Sequence, residues 1–249
     1  MRFTIVTIFP ELFSSFLATS LVGRAIEKQL LDIRIVDLRD YSGHPHHVVD
    51  DEPYGGGGGM VMQAPPWMRA VQDLASEQTW RLLLSPQGRR LTEAKVRELS
   101  EKSELMLLCA RYEGVDERVR ETVVDEEVSI GDYVVAGGEV PAMVLLEAVS
   151  RQIPGVVGST SSVENDSFRV GILDHPHYTR PREVEGLEVP EVLISGNHAA
   201  IVRWREKEAL RSTLRKRPDL LAVARLSDEQ KSLLEEIEAE EISRAKMKC

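Results

Sequence analysis

SIGDYVVAGGEVP, residues 129–141, is the stretch around which this chain is organised, and it leads straight into an apolar segment with helical spacing. Three glycines, Gly131, Gly137 and Gly138, bracket a short β-branched run. They predict two sharp backbone turns, at which a ligand could approach without meeting a Cβ atom. Pro141 suits the first turn of a helix, because its missing N–H would have no partner there. An ordinary strand, turn and helix fits this stretch equally well.

The elements on either side of this stretch alternate between strands and helices. Apolar runs predict buried strands at 3–9, 33–38, 80–84 and 105–109. Helical spacing occurs at 11–30, with an interruption near Thr19 and Ser20, and at 66–75, 92–102 and 140–152. Strands that alternate with helices predict an α/β domain with a mainly parallel sheet.

Three loops directly follow predicted strands. They are Ser85-Pro86-Gln87-Gly88, Ala110-Arg111-Tyr112-Glu113-Gly114 and 129–141. Because open α/β sheets bind ligands outside the carboxyl ends of their strands, we expect these loops to line one crevice. The common nucleotide sites are not indicated. G-x-G-x-x-G does not follow the first strand, and the run of five glycines at 55–59 is not followed by Lys-Ser or Lys-Thr.

Composition restricts the class of protein. A chain of 249 residues that is 42% hydrophobic can build one large domain or two smaller ones. No apolar run approaches the roughly 20 residues of a membrane-spanning helix, and the first residues lack a signal-peptide pattern. We therefore expect a cytoplasmic protein without a membrane segment. The two cysteines, Cys109 and Cys249, provide neither a disulfide framework nor a paired metal spacing.

Charge is unevenly distributed along the chain. The net charge of −10 argues against nucleic-acid binding over the whole surface, because like charges repel phosphate. Within 198–217, however, basic residues strongly outnumber acidic ones. Four of them recur every four residues and would lie along one helix face: Arg203, Lys207, Arg211 and Arg215. An RNA backbone is a natural partner for this stripe, and a solvated basic face is the ordinary alternative.

The last third of the chain contains a linker and two helix starts. The small, polar stretch 155–170 has no period and predicts a linker. Asn197 follows a Ser-Gly turn and can cap the helix that comes after it. Ser227 and Gln230 have the spacing of a capping box, which opens a Glu-rich last helix. We expect that helix only to pack and to solubilise.

Many ordered motifs together carry a family resemblance. They are Val49-Asp50-Asp51-Glu52-Pro53-Tyr54-Gly55-Gly56-Gly57, Ser85-Pro86-Gln87-Gly88, Arg111-Tyr112-Glu113-Gly114-Val115-Asp116-Glu117-Arg118, Ser129-Ile130-Gly131-Asp132-Tyr133, Gly137-Gly138-Glu139-Val140-Pro141-Ala142-Met143, His177-Tyr178-Thr179-Arg180-Pro181 and Ser195-Gly196-Asn197-His198. With these motifs the chain resembles the bacterial tRNA (guanine-N1)-methyltransferases of the SPOUT superfamily. The resemblance extends to about Leu221.

The resemblance implies a SPOUT-type α/β fold, with a mainly parallel sheet and a C-terminal trefoil knot at about 83–153, plus a small helical C-terminal domain. It divides the chain into a methyltransferase domain at 1–157, a flexible interdomain linker at 158–172 and a helical tRNA-binding domain at 173–249. Periodicity alone would not propose a knot, since true knots are rare. The resemblance also implies a homodimer with composite active sites.

In the family that this chain resembles, the knot loops bind S-adenosylmethionine in a bent shape. Backbone groups would hold the adenine, which accounts for the glycines. The residues that match the family's cofactor positions are Leu84, Ser85, Pro86, Ala110, Tyr112, Glu113, Ile130, Gly131, Asp132, Tyr133, Val134, Val135, Gly137, Gly138 and Pro141.

The implied reaction is methylation of N1 of guanosine 37 in tRNA. Guanine N1 carries a proton at neutral pH, so its methylation requires a general base, which by resemblance is Asp166. Arg151 matches the position that stabilises negative charge on O6. The guanosine is expected to be flipped into the site. The positions that match family residues near the tRNA are Asp50, Gly59, Ser195, Asn197, His198 and Arg203.

Three positions depart from the family pattern. Ala110 replaces a glycine, Gly58 replaces a more restrictive residue, and His175 replaces a common cysteine. His175 and His177 could form a metal pair, but two histidines on a proline-bearing loop usually make only polar contacts, and no metal site is predicted. The residues leave a requirement for Mg²⁺ open. The alternative functions are a non-catalytic RNA-binding protein with the same fold and a ribose 2′-O-methyltransferase.

Overall fold

The computed structural model describes residues 1–158 and 166–248. The chain forms two compact units, Met1–Thr160 (unit 1) and Ser161–Cys249 (unit 2). The linker predicted at 158–172 falls partly on residues 159–165, which lie outside the described residues.

Unit 1 is an α/β unit around a five-stranded sheet. Its strands are β1 (Arg2–Thr7), β2 (Asp32–Asp37), β5 (Thr79–Arg90), β6 (Glu104–Cys109) and β7 (Glu126–Ser129), with the short pair β3 (Asp50–Asp51) and β4 (Val61–Met62) outside the sheet. The sheet order is β2-β1-β6-β5-β7, and every neighbouring pair is parallel. The prediction of a mainly parallel α/β sheet is therefore confirmed. The knot stays a prediction.

Helices cover both faces of this sheet. They are α1 (Ser14–Ala18), α2 (Ser20–Glu27), α3 (Ala64–Leu74), α4 (Glu93–Ser100), α5 (Glu117–Val123) and α6 (Glu139–Ser150), with single 3₁₀ turns at Pro10–Phe13 and Leu38–Tyr41. Successive strand residues point to opposite faces. Ile5 and Leu107 pack with α2, α4 and α6 on one side, while Val6 and Leu108 pack with α3 and α5 on the other. Burial on both faces explains the unbroken apolar runs of these strands.

Two elements near the organising stretch differ from the prediction. Helix α5 and strand β7 were not predicted, because their charged sequences lack a clear apolar period. Strand β5 continues past the predicted end at Leu84 to Arg90. Leu84 and Arg89 both pair with Val128, so residues 85–88 bulge out of the strand. The interruption predicted near Thr19 is confirmed by the break between α1 and α2.

Unit 2 contains two long helices, the basic helix (His198–Lys216) and the acidic helix (Asp228–Lys248). Shorter elements are a two-stranded hairpin of Glu183–Val184 and Leu187–Glu188, and helical turns at Glu191–Ile194 and Pro218–Leu221. Its small core consists of Ile172, Ala209, Leu210, Leu233 and Ile237. Among the described residues of the chain, no helix is both long and apolar enough to cross a membrane.

Candidate functional site

A cleft of about 260 Å³ lies in unit 1, between the 85–88 bulge, the loop after β6 and the loop after β7. This confirms that the three loops line one crevice. The cleft is lined by every residue that matches a family cofactor position except Asp132. Asp132 forms an ion pair with Arg90, and its side chain is 80% exposed.

The bulge is held by the side chain of Arg120, whose role the sequence did not predict. Arg120 on α5 lines the cleft and donates a hydrogen bond from Nη2 to Ser85 Oγ over 3.0 Å. The same guanidinium bonds the amide oxygen of Gln87 and lies 2.8 Å from a carboxylate oxygen of Glu127. Arg120 thus fixes the first cleft loop to α5 and β7. It could not be predicted, because its partners lie 33 to 35 residues earlier and on a strand that was not predicted.

The turn at the start of α6 requires a glycine for close packing. A Cβ atom on Gly138 would lie 2.6 Å from Cys109 Cα and 3.0 Å from the Ala110 nitrogen, both backbone atoms. Instead, the Gly138 N–H donates to the Ala110 carbonyl over 2.8 Å. The second and third cleft loops therefore touch through their backbones, a contact that the sequence did not predict.

A buried polar network lies beneath this turn. Glu139 is only 1% exposed, accepting a hydrogen bond from Thr7 Oγ1 over 2.8 Å and another from Arg111 Nε over 2.9 Å. The Arg111 guanidinium also lies 4.5 Å from the centre of the Phe9 ring. Buried charges are tolerated when they are paired and hydrogen-bonded in this way. The sequence signal for Glu139 was a lone charge between a glycine pair and an apolar helix.

Burial changes the acidity of the neighbouring thiol. Cys109 is completely buried at the end of β6. Its burial raises the pKa of the thiol well above the ordinary value, and the nearby Glu139 carboxylate raises it further. A thiol held in its protonated form is a poor nucleophile, so Cys109 is a packing residue.

The second cleft loop adopts an unusual backbone conformation. Tyr112 has a φ of +62°, which costs a residue other than glycine on the order of 1–3 kcal/mol. The neighbouring bonds enforce it. Arg111 forms a bridge with Gly137 on one side, and the Glu113 N–H donates to the Met60 carbonyl over 3.0 Å on the other.

The same loop reaches the glycine run at 55–59. A Cβ atom on Gly59 would lie 2.5 Å from the Glu113 carboxylate, and Gly59 has a φ of +88°. Gly59, a position that matches the family's tRNA contacts, thus lies directly beside Glu113, a predicted cofactor residue. Asp50 pairs with Met62 on the short strands that flank this run.

The two predicted catalytic residues belong to different units. Arg151 caps the C-terminus of α6 in unit 1, and its N–H donates to the Glu147 carbonyl over 3.2 Å. Asp166 lies in unit 2, where it lines a second cavity of about 350 Å³. Their roles stay predictions.

The predicted tRNA contacts of unit 2 lie at the start of the basic helix. Asn197 Oδ1 accepts a hydrogen bond from the Ala200 N–H over 3.1 Å, which confirms its predicted capping role. The Asn197 N–H in turn donates to Ser195 Oγ over 3.1 Å. His198 is the first residue of the helix, and its side chain is exposed. The capping box of Ser227 and Gln230 is also confirmed.

The interpretation of the basic stripe as an RNA surface is wrong for two of its four residues. Lys207 contacts Glu236 and Glu240, and Arg211 contacts Glu240 and Glu241 as well as Glu208 of its own helix. Only 17% and 8% of these two side chains are exposed.

The outer members of the stripe are also paired but stay exposed. Arg203 bonds Glu236 over 2.7 Å, and Arg215 bonds Glu241 over 2.6 Å. The acidic helix, expected only to pack and to solubilise, therefore neutralises the stripe. Arg205 and Lys216 are exposed cations that have no carboxylate partner among the described residues.

The chain is similar to a known family of RNA-modifying enzymes over most of its length. The family model of tRNA (Guanine-1)-methyltransferase TrmD matches residues 1–223. A tRNA (guanine-N(1)-)-methyltransferase of Moorella thermoacetica is 51% identical, over 97% of this chain and 98% of its own length. Proteins of the same name from Dictyoglomus turgidum and Carboxydothermus hydrogenoformans are 50% and 49% identical, covering 96% and 94% of this chain and 98% and 92% of their own.

Proposed function

This chain belongs to the tRNA (guanine-1)-methyltransferase family, and we propose that it transfers a methyl group from S-adenosylmethionine to N1 of guanosine 37 in tRNA. The observation that carries the proposal is the cleft of unit 1, which gathers three separate loops with the residue pattern of a cofactor site. A tRNA substrate also fits the predicted cytoplasmic location.

The lining of the cleft suits S-adenosylmethionine. Leu84, Pro86, Ile130 and Pro141 supply apolar contacts for a purine, and Gly131, Gly137 and Gly138 line the cleft without a side chain. The close approach at Gly138 leaves no room for a Cβ atom where the second and third loops meet. When bound, S-adenosylmethionine would supply an electrophilic methyl group.

Asp166 is the general base in this proposal, and Arg151 is the charge-stabilising group. A carboxylate within hydrogen-bond reach of N1 can take its proton as the methyl group arrives. As the proton leaves N1, negative charge develops on O6, where a guanidinium would stabilise it. We infer a homodimer with composite active sites, in which Asp166 acts on a guanosine bound mostly by the other subunit.

A methyl-transfer assay tests the substrate. Transcripts that differ only at nucleotides 36 and 37 would be incubated with the full chain and labelled S-adenosylmethionine, and the methyl group would be mapped by nuclease digestion and mass spectrometry. We expect methylation at N1 of guanosine 37 only. A methyl group on a ribose 2′-OH would instead identify a ribose methyltransferase. Cofactor that does not bind in calorimetry would identify a non-catalytic RNA-binding protein.

Substitution tests the residue roles. Asp166→Ala should slow methyl transfer on the order of 100-fold or more, because it removes the general base. Arg151→Ala should slow it by a similar factor. Asp228→Ala is the matched control, since the Asp228 side chain is fully exposed and pairs with Lys231 of its own helix, and its loss should leave the rate unchanged. An Asp166→Ala enzyme with the original rate would refute the mechanism.

A further inference from the structure

Three side chains of metal-ligating type meet on one loop of unit 2. Asp174, His175 and His177 each present one ligand atom, and these atoms all lie within 4.8 Å of one another. Asp174 Oδ2 is 2.9 Å from His177 Nε2, and Asp174 Oδ1 is 3.8 Å from His175 Nε2. The two imidazole rings are 4.4 Å apart between their centres. The carboxylate therefore lies within reach of both rings.

The tautomer of His175 is determined by its neighbour. His175 Nδ1 lies 3.1 Å from the Pro176 carbonyl oxygen. A carbonyl oxygen can only accept, so Nδ1 carries the hydrogen, and in the neutral ring Nε2 has a free lone pair. That lone pair faces a carboxylate oxygen, which is also an acceptor. A backbone carbonyl that binds the second nitrogen in this way is a common feature of metal-binding histidines.

Asp174 and the His175 ring are also held in place by neighbouring groups. The His175 ring stands edge-on to Trp204, with their centres 6.4 Å apart. The Asp174 N–H donates to Ser167 Oγ over 2.9 Å, and Asp174 Oδ1 accepts from the His175 N–H over 2.7 Å. His177 is largely exposed, so an ion can reach it from solvent. A cation bound to its Nε2 would replace the hydrogen that this nitrogen now donates to Asp174.

We propose that Asp174, His175 and His177 bind a divalent transition-metal ion of the zinc type. Two imidazoles and one carboxylate are a donor set that suits Zn²⁺ or Co²⁺, whereas Mg²⁺ prefers oxygen ligands. The fourth position would be filled by water. The sequence predicted only polar contacts for the two histidines, and Asp174 supplies the third donor. This inference is independent of the proposed methyl transfer.

Cobalt substitution tests the site. The full chain, prepared without a histidine tag and treated with a chelator, would be titrated with Co²⁺ and followed by visible absorption, and then titrated with Zn²⁺ as competitor. We expect one equivalent of Co²⁺ in a low-symmetry four-coordinate spectrum, displaced by Zn²⁺ and not by Mg²⁺.

Variants distinguish this cluster from the other histidines. His177→Ala removes an exposed side chain and should weaken binding tenfold or more, as should His175→Ala. His46→Ala is the matched control: His46 is also exposed, one residue from another histidine, and should bind as the original protein does. His175→Cys keeps a ligand at the same position and should add a thiolate-to-cobalt charge-transfer band.

Two results would overturn the proposal. One is the absence of a saturable Co²⁺ spectrum at one equivalent. The other is a spectrum that is unchanged in His177→Ala and His175→Cys but lost in His46→Ala, which would assign the ion to residues 44–47. Circular dichroism of each variant would verify that it is folded.

Discussion

Arg111 Nε and Glu139 Oε2 are 2.9 Å apart, and they join the loop after β6 to the first turn of α6 beneath the cleft of unit 1. Glu139 is buried, while 21% of the Arg111 side chain is exposed. The pair therefore brings together two of the three loops that line the cleft. The loss of stability depends on which partner is removed, because the Glu139 carboxylate is the buried group. Removal of Arg111 would leave that charge buried without a cation.

Arg111→Ala should lower the free energy of unfolding by about 3–5 kcal/mol, because it leaves the Glu139 carboxylate buried without its cation. The double variant Arg111→Ala, Glu139→Gln should recover part of this loss. Urea unfolding of the three proteins measures the effect. Arg118→Ala is the control: it removes an exposed pair with Asp116 and should cost about 1 kcal/mol or less. Equal losses in Arg111→Ala and Arg118→Ala would contradict the structural role of the network.

Gly138→Ala should abolish or strongly weaken binding of S-adenosylmethionine, because its Cβ atom would push against the backbone at Cys109 and separate two cleft loops. Calorimetry with the cofactor measures the affinity. Gly58→Ala is the matched control, since a Cβ atom there would meet nothing within 4 Å and its φ is not positive. If both variants bound the cofactor as the original protein does, the close approach at Gly138 would be irrelevant to the site.

Asn197 allows a structural role to be separated from a binding role. Asn197→Ala removes the cap of the basic helix and should cost about 1 kcal/mol of stability. Asn197→Asp keeps an acceptor for the Ala200 N–H and should retain that stability, while its added negative charge should weaken tRNA binding. Unfolding curves and tRNA affinity for the two variants check this separation. An Asn197→Asp protein that binds tRNA normally would remove Asn197 from the predicted contacts.

Acid should weaken the contact between the two long helices of unit 2. Hydrogen bonds from Lys207 and Arg211 lower the pKa of Glu240 from its ordinary value of 4.5 to about 2. Because the folded-state pKa is depressed, the stabilisation is complete above pH 4.5 and is lost as the pH falls from 4.5 towards 2. Hydrogen exchange of residues 198–216 across this range measures it. Glu240→Gln should flatten this part of the pH dependence. An unchanged profile would show that the ion pairs of Glu240 contribute nothing to the stability of the helix contact.

The salt dependence of tRNA binding should distinguish free cations from neutralised ones. Arg205→Ala and Lys216→Ala should each reduce the slope of log affinity against log salt by about one if the residue contacts a phosphate. Lys207→Ala should leave the slope unchanged, because its charge is already matched by Glu236 and Glu240. Affinity measured at several salt concentrations provides the slopes. A smaller slope in Lys207→Ala alone would mean that RNA displaces the acidic helix.

The sequence by itself determined most strands and helices of unit 1, although not α5 and β7, and it predicted the three loops that line the cleft. Apolar runs such as 105–109 are local signals, since a strand buried on both faces must be apolar along its length. The caps at Asn197 and Ser227 are local as well, because each depends on backbone geometry within a few residues. These features can be predicted from the sequence without knowing which residues pack against them.

Only the tertiary structure decided the partners of the charged residues. Glu139 pairs with Thr7, 132 residues away, and Lys207 and Arg211 meet carboxylates that lie 29 to 33 residues further along the chain. A helical period shows which side chains share a face, but it does not show what covers that face. The energy of a charge depends on its burial and on its neighbours. For this reason a stripe that predicted an RNA surface is in large part an interface between two helices.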